Sequence, residues 1–441
     1  MFTSRDLLKL IIPLIIEQIL AVTVGMADSV MVARVGEAAV SGVSIVDSIN
    51  TLLIGLFSAV ATGGAVVSSQ YLGQKREERA SKAGEQLIVS NLALSAVIML
   101  IALSGRNILL NLLFGGVEPD VMKNARIYFF YSALSYPFLG VYNACAALFR
   151  SMGNSKISMK ISIIANLINI AGNYILIFGF NMGVAGAAIA TLVSRFFSSV
   201  VMFILLRDQA RPIHIENIRQ YRPDIKMIKR ILRIGIPNGM ENSVFQIGKI
   251  MVQGIVAGLG TSSITANSIA SNIGGFGVLP GSAMGLALIT VVGQCVGARD
   301  YDGVKKYAKK LLKITHLSMA LTNSIIILLI PSILKIYRVS DETAKIASSL
   351  MMYHCILSTF IWPPSFTLPN ALRAASDVKY TMWVSIISMW LWRIGLSYFL
   401  AITMRIGVLG VWIAMTVDWM FRTVCFLYRF LKEKYRTIST V

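Results

Sequence analysis

The residues best placed to do chemistry in this chain are acids inside apolar stretches. Glu17 and Asp28 stand eleven positions apart in the first apolar run, residues 7–33. On a helix they fall within roughly 20° of each other and about 16 Å apart along the axis. Ala21, Val24 and Gly25 lie between them on that face. A carboxylate in hydrocarbon costs roughly 2.5–3.5 kcal/mol on insertion scales, so this face must meet water or a small-residue helix contact rather than lipid. The fifth run carries Asn166, Asn169 and Asn173 at i, i+3, i+7, and the sixth carries Thr191. Asp28, Asn173 and Thr191 come out at one depth, about 8–10 Å from the outer helix ends. A carboxylate, amide oxygens and a hydroxyl at one level can hold a small cation or tune a protonatable acid. The Asn stripe can also act as interhelical glue.

The second half carries a different set. Arg393 lies deep in the eleventh run, and Asp418 and Arg422 form an i, i+4 pair in the twelfth. Buried charges are tolerable only when paired, so an Arg393–Asp418 contact extended to Arg422 is expected, as a strut or as a second protonation switch. Glu241 and Lys249 are too far apart along their helix to touch, about 12 Å. Glu241 is expected to face a cleft and attract cations, as is Glu17. Arg195 is expected to pair with Glu17 or Asp28, and Asp47 to be solvated near the outer rim. The stretch "IWPPSFTLPN" (361–370) breaks the tenth run with three prolines. Pro-broken helices at membrane depth line cavities, which makes Trp362 and Phe366 wall residues. His316 and His354 are isolated, and Cys145, Cys295, Cys355 and Cys425 lack metal spacing, so neither a metal site nor a catalytic cluster is expected and the chain does not read as an enzyme.

Helices must hold these groups in place. The chain is 56% hydrophobic and 14% charged, against about 25% charged in soluble domains. Twelve spans are read near 7–33, 43–72, 85–104, 122–148, 155–179, 184–206, 229–258, 267–297, 309–334, 344–370, 378–404 and 408–430. The expected fold is an all-α membrane protein. The net charge of +20 is not a nucleic-acid footprint. Of 41 Lys and Arg, 29 sit at the amino-terminal stub, the even-numbered loops and the tail, against eight at the odd-numbered loops. That bias places both termini in the cytoplasm, in a plasma (inner) membrane protein that contacts lipid and no nucleic acid.

The chain also repeats itself. "LLKLIIPLIIEQ" (7–18) matches "ILRIGIPNGMEN" (231–242) at a shift of 224, aligning Pro13 with Pro237 and Glu17 with Glu241. "ALFRSMGNSK" (147–156) matches "NALRAASDVK" (370–379) at 223, and "GVAGAAIAT" (183–191) matches "GVLGVWIAM" (407–415) at 224 again. Two parallel six-span halves follow: an amino-terminal lobe over 1–206, a basic linker over 207–228 and a carboxy-terminal lobe over 229–441. Six-plus-six parallel repeats are a transporter signature. The halves are unequal, because Val252 stands where Asp28 would repeat.

"ADSVMVARVGEAAVSGVS" after Pro13, "NIAGNYILIFG" (169–179), "GVAGAAIAT" and "LRAASD" together resemble the multidrug and toxic compound extrusion (MATE) family over essentially the whole chain. The resemblance implies twelve helices in two pseudo-symmetric bundles with a central cleft. It implies proton- or sodium-driven antiport of cationic amphipathic drugs by alternating access, with no cofactor, in a chain read as a monomer. Asp28 matches the family's coupling acid on the first helix; Asn169 and Thr191 match residues of its amino-lobe cation site. Asn173 stands where those members have a second Asp. Phe245 stands one turn after Glu241, where another branch has a Glu, and is counted among the cleft residues. The rival readings are a flippase of lipid-linked sugars, for which Arg195, Arg393 and Arg422 would bind pyrophosphate, and an exporter of a native metabolite.

Overall fold

The computed structural model describes residues 2–215 and 221–438, so residues 216–220 of the linker lie outside the described residues. The fold is helical throughout, with no strand among the described residues. In the amino-terminal half the helices are α1 (Ser4–Ala33), α2 (Glu37–Gly73), α3 (Glu77–Ser104), α4 (Arg106–Phe114), α5 (Pro119–Leu134), α6 (Tyr136–Ser151), α7 (Ser155–Asn173) and α8 (Gly183–Leu205). The second half has α9 (Ile225–Ala257), α10 (Thr261–Gly277), α11 (Leu279–Gly297), α12 (Tyr301–Tyr337), α13 (Asp341–Trp362), α14 (Pro369–Ala374), α15 (Val378–Ser388) and α16 (Val408–Leu431).

Ten helical stretches among the described residues are long and apolar enough to cross a bilayer. Two more complete the expected set. The α5–α6 pair breaks at Ser135, just ahead of Pro137. The other, α9, is diluted by Lys226, Lys229, Arg230, Arg233, Glu241 and Lys249. Asp224 starts α9: its carboxylate accepts the Met227 N–H at 3.1 Å and pairs with Lys82 at 3.4 Å. That backbone hydrogen bond, with the nearby ammonium, holds the Asp224 carboxyl below the usual carboxylate range.

Several helices continue as wide turns with i→i+5 hydrogen bonds: Tyr174–Gly179, Pro363–Thr367, Met389–Leu396 and Phe399–Thr403. At Pro363–Thr367 the cause is local. Pro363, Pro364 and Pro369 lack N–H donors, and the Leu368 N–H reaches back to the Pro363 carbonyl at 3.1 Å.

Two compact units result, one spanning Phe2–Gly239 and the other beginning at Met240, so the division falls inside α9. In the first unit α1 packs on α7, α2 on α3, α5 and α6, and α7 on α8. In the second α10 packs on α13 and α11 on α12. Close approach is set by small residues, as expected where lipid offers no hydrophobic driving force. A side chain on Gly172 of α7 would press on Ala190 of α8.

The duplication is written in the backbone. Left-handed φ values recur as pairs: Gly36 and Gly260, Lys75 and Arg299, Gly153 and Ser376, Asn181 and Arg405, Gly183 and Gly407. Gly36 (φ 140°, ψ 167°) and Gly260 (φ 93°, ψ 163°) precede α2 and α10 in a region essentially restricted to glycine. Nothing lies within 4 Å of a Cβ built at either, so the demand is conformational rather than steric. Gly36→Ala is expected to cost on the order of 1–3 kcal/mol, read as a lowered thermal unfolding midpoint of the detergent-purified protein; an unchanged midpoint would contradict the assignment.

Candidate functional site

The first unit encloses a cavity of about 500 Å³ lined by α1, α2, α5, α6, α7 and α8. The small α1 face read from the sequence forms one wall, with Ala21, Val24, Gly25 and Asp28 lining it in turn. Asp28 accepts a hydrogen bond from Asn173 Nδ2 at 2.5 Å. Asn173 Nδ2 also points at Asn169 Oδ1 at 3.5 Å, and Asn169 Nδ2 donates to Thr191 Oγ1 at 3.1 Å. Thr191 passes its own hydroxyl hydrogen to the Ala187 carbonyl at 3.0 Å. The close α7–α8 contact at Gly172 and Ala190 brings the middle of this chain within hydrogen-bond range. Asn169 and Asn173 are buried, while Asp28 is half-buried and reached from the cavity.

Three residues stand elsewhere than the sequence placed them. Asp47 is not a solvated rim residue but a second acid lining the same cavity. It accepts from Asn50 Nδ2 at 3.3 Å, while Tyr136 donates to Asn50 Oδ1 at 2.9 Å. The i, i+3 spacing of Asp47 and Asn50 was the available signal. Arg195 lines the cavity too, but its guanidinium donates to Ser135 Oγ at 2.7 Å. Glu17 is engaged elsewhere, with Arg150 at 3.6 Å and Ser158 Oγ at 3.0 Å. The cavity thus carries two carboxylates and one guanidinium.

Glu241, expected as a cation-attracting cleft residue, is buried and neutralised: Arg373 pairs with it at 2.8 Å and Ser385 donates to it at 2.6 Å. This repeats Glu17 with Arg150, one clasp per half, so each glutamate has a guanidinium partner within its own unit. Arg393 approaches Asp418 at 3.6 Å, and Arg422 Nε donates to Asp418 Oδ1 at 3.0 Å. Ser388 also donates to Asp418 Oδ1, and Arg422 reaches Ser385 Oγ at 3.3 Å. The Arg422 guanidinium lies over Phe366 at 5.1 Å and Phe245 at 5.7 Å.

Phe245, Trp362 and Phe366 line a second cavity, of about 330 Å³, inside the second unit. Trp362 stacks on Phe366 with ring centroids 5.1 Å apart. Lys249 lines this cavity with its ammonium over the Phe245 ring at 5.9 Å. The ring nitrogens of His316 face the Leu312 and Phe360 carbonyls at 2.8 and 3.2 Å, whereas His354 sits edge-on to Trp412 and Trp419 in the cavity wall. The four cysteines are free.

Two halves built on one repeated helical pattern, each with polar groups gathered in a cavity within apolar spans, fit a secondary-transporter architecture. A family model described as MatE matches residues 13–175 and again 237–399, the second match offset by 224 residues at both ends. The chain belongs to the MatE family, a family of membrane transporters. "Uncharacterized transporter YisQ" of Bacillus subtilis (strain 168) is 27% identical over 94% of this chain and 91% of its own length. "Probable multidrug resistance protein NorM" of Thermotoga maritima is 26% identical over 98% and 93%. Among solved structures, one titled "Outward-facing conformation of a multidrug resistance MATE family transporter of the MOP superfamily" matches with a TM-score of 0.91 at 19% identity, covering 98% of this chain and 96% of that one. A MOP superfamily transporter from Pyrococcus furiosus, whose title cites a binding pocket of reversed polarity, matches with a TM-score of 0.90 at 19% identity over 99% and 97%. At these identities the structural likeness shows the fold.

Proposed function

We propose that the protein is a cation-coupled multidrug antiporter of the inner membrane, both termini cytoplasmic, exporting amphipathic organic cations by alternating access. The multidrug names of its relatives support the substrate class, and the excess of Lys and Arg at even-numbered loops supports the orientation. One observation carries the coupling half of the reading: the continuous contact Asp28–Asn173–Asn169–Thr191, open to a cavity that Asp47 also lines.

A proton or a sodium ion entering this cavity binds at Asp28. Protonation removes the charge that holds Asn173 Nδ2; sodium competes with that donor for the same oxygen. In either case the α1–α7 contact weakens and α1 is free to shift. Because linkage is reciprocal, a cation that stabilises the drug-free form is itself displaced when drug binds. Asn173 in place of an acid would leave a bound sodium with a single carboxylate from α1 and α7. Asp47 on α2 supplies the second negative charge, and Thr191 and Asn169 supply neutral oxygens.

The test is ethidium transport in proteoliposomes under an imposed proton gradient and, separately, a sodium gradient. Uptake driven by one of them is the expected result and identifies the ion. Uptake indifferent to both would overturn the reading.

A further inference from the structure

The cavity of the second unit has a chemistry opposite to that of the first. Lys249 and Arg393 line it, and no carboxylate does so among the described residues. Asp418, the acid near Arg393, is already shared with Arg422 and Ser388. Arg393 Nη1 stands 3.6 Å from Asp418 Oδ2, beyond hydrogen-bond range, and neither atom has a hydrogen-bond partner in the protein. Trp419 Nε1 is likewise a buried donor with no acceptor in the protein, and Lys249 forms no ion pair among the described residues. Buried donors ordinarily find partners, so this wall holds two positive charges and a surplus of donors.

The difference can be followed along the aligned halves. At the 224 shift Asp28 becomes Val252, Gly25 becomes Lys249, and Asn169 becomes Arg393. The acid of the first half is replaced by a valine, and two neutral positions, one beside it on the same helix, become cations. Trp362, Phe366, Trp412 and Trp419 give the wall a large aromatic share, beside the neutral polar side chains of Gln253, Asn267 and Ser271. A volume of about 330 Å³ lies at the small end of ligand pockets, in the range of a compact ring system.

We propose that this cavity binds an organic anion, a carboxylate or sulfonate carried on a one- or two-ring aromatic body. The acid group meets the Lys249 ammonium and the Arg393 guanidinium, and the rings lie among the tryptophans. Arg serves here as a fork for a planar carboxylate.

The test uses the purified full-length protein, tritiated 2-naphthoate, and the cationic isostere 2-naphthylmethylammonium as competitor, read by scintillation proximity. No ion gradient is needed, so failure here is separable from failure of the transport reading. Saturable naphthoate binding is expected, displaced by unlabelled naphthoate at least tenfold more effectively than by the isostere. Lys249→Gln is expected to weaken binding at least tenfold while eluting as a monodisperse peak, and Lys249→Arg to restore it to within about threefold of the wild type. Absence of saturable binding, equal displacement by the cation, or full affinity in Lys249→Gln would each overturn the proposal.

Discussion

Replacing Asp28 by Asn is expected to lower the initial rate of gradient-driven ethidium transport in proteoliposomes at least 100-fold. The substitution is nearly isosteric, and the new amide oxygen can still accept from Asn173 Nδ2, which touches Asp28 at 2.5 Å. Packing of α1 on α7 is therefore retained, and what disappears is the charge. A unit charge about 4 Å from a bound cation is worth about 4 kcal/mol at an effective dielectric of 20. With about 1.4 kcal/mol per tenfold, that approaches a thousandfold in ion affinity. Asp47→Asn removes the second negative charge of the same cavity and is expected to have a smaller effect in the same direction. Wild-type rates in Asp28→Asn, measured at matched protein incorporation, would refute the coupling role.

The largest stability effect is expected at Asp418→Ala. Asp418 is fully buried between Arg393 and Arg422 and accepts from Ser388 as well. Its removal leaves two guanidinium groups with no carboxylate, and truncating one partner of a buried pair costs about 3–5 kcal/mol. For a chain of this size that corresponds to a drop of roughly 3–5 °C in the unfolding midpoint. The readout is thermal unfolding of the detergent-purified variant beside the wild type. A midpoint within about 2 °C of wild type would show that the cluster contributes little to the fold. Arg422 differs from Arg393, since its guanidinium also covers Phe366 and Phe245. Arg422→Lys is therefore not a neutral exchange, because an ammonium lacks the planar fork that reaches Asp418 and Ser385 together.

The parts of this structure legible in the sequence are those set by helical geometry. Asp28, Asn173 and Thr191 could be put at one level because each residue adds about 1.5 Å of rise, and Arg393, Asp418 and Arg422 could be grouped because buried charges need partners. Asp47 was misplaced for an instructive reason. Its depth was counted from residue 43, where the apolar run begins, but α2 begins at Glu37. Asp47 is thus about 15 Å along its helix rather than near the end. Glu17 and Glu241 escaped because their partners, Arg150 and Arg373, lie at helix ends where basic residues report orientation. No local spacing marks a basic residue as reaching back toward an acid on another helix. Comparing the halves would have exposed the clasp, since Arg150 and Arg373 sit at equivalent positions as their acids do. Lys249 and the tryptophans of the second cavity could not be grouped from spacing, as they come from α9, α13 and α16 with no common period.

The wide turns have a consequence for how the halves diverged. The offset between them is 223 at Lys156 and Lys379 but 224 at Asn181 and Arg405, so the second half is one residue longer between those landmarks. Tyr174–Gly179 has its equivalent in Phe399–Thr403, whereas Met389–Leu396 has none: its counterpart lies in the regular α7. An inserted residue in an α-helix would rotate everything after it by about 100°; looped out as an i→i+5 turn, it leaves the downstream phase intact. Arg393 lies inside that swelling, which lets one copy exchange an amide for a guanidinium without disturbing the helix that follows.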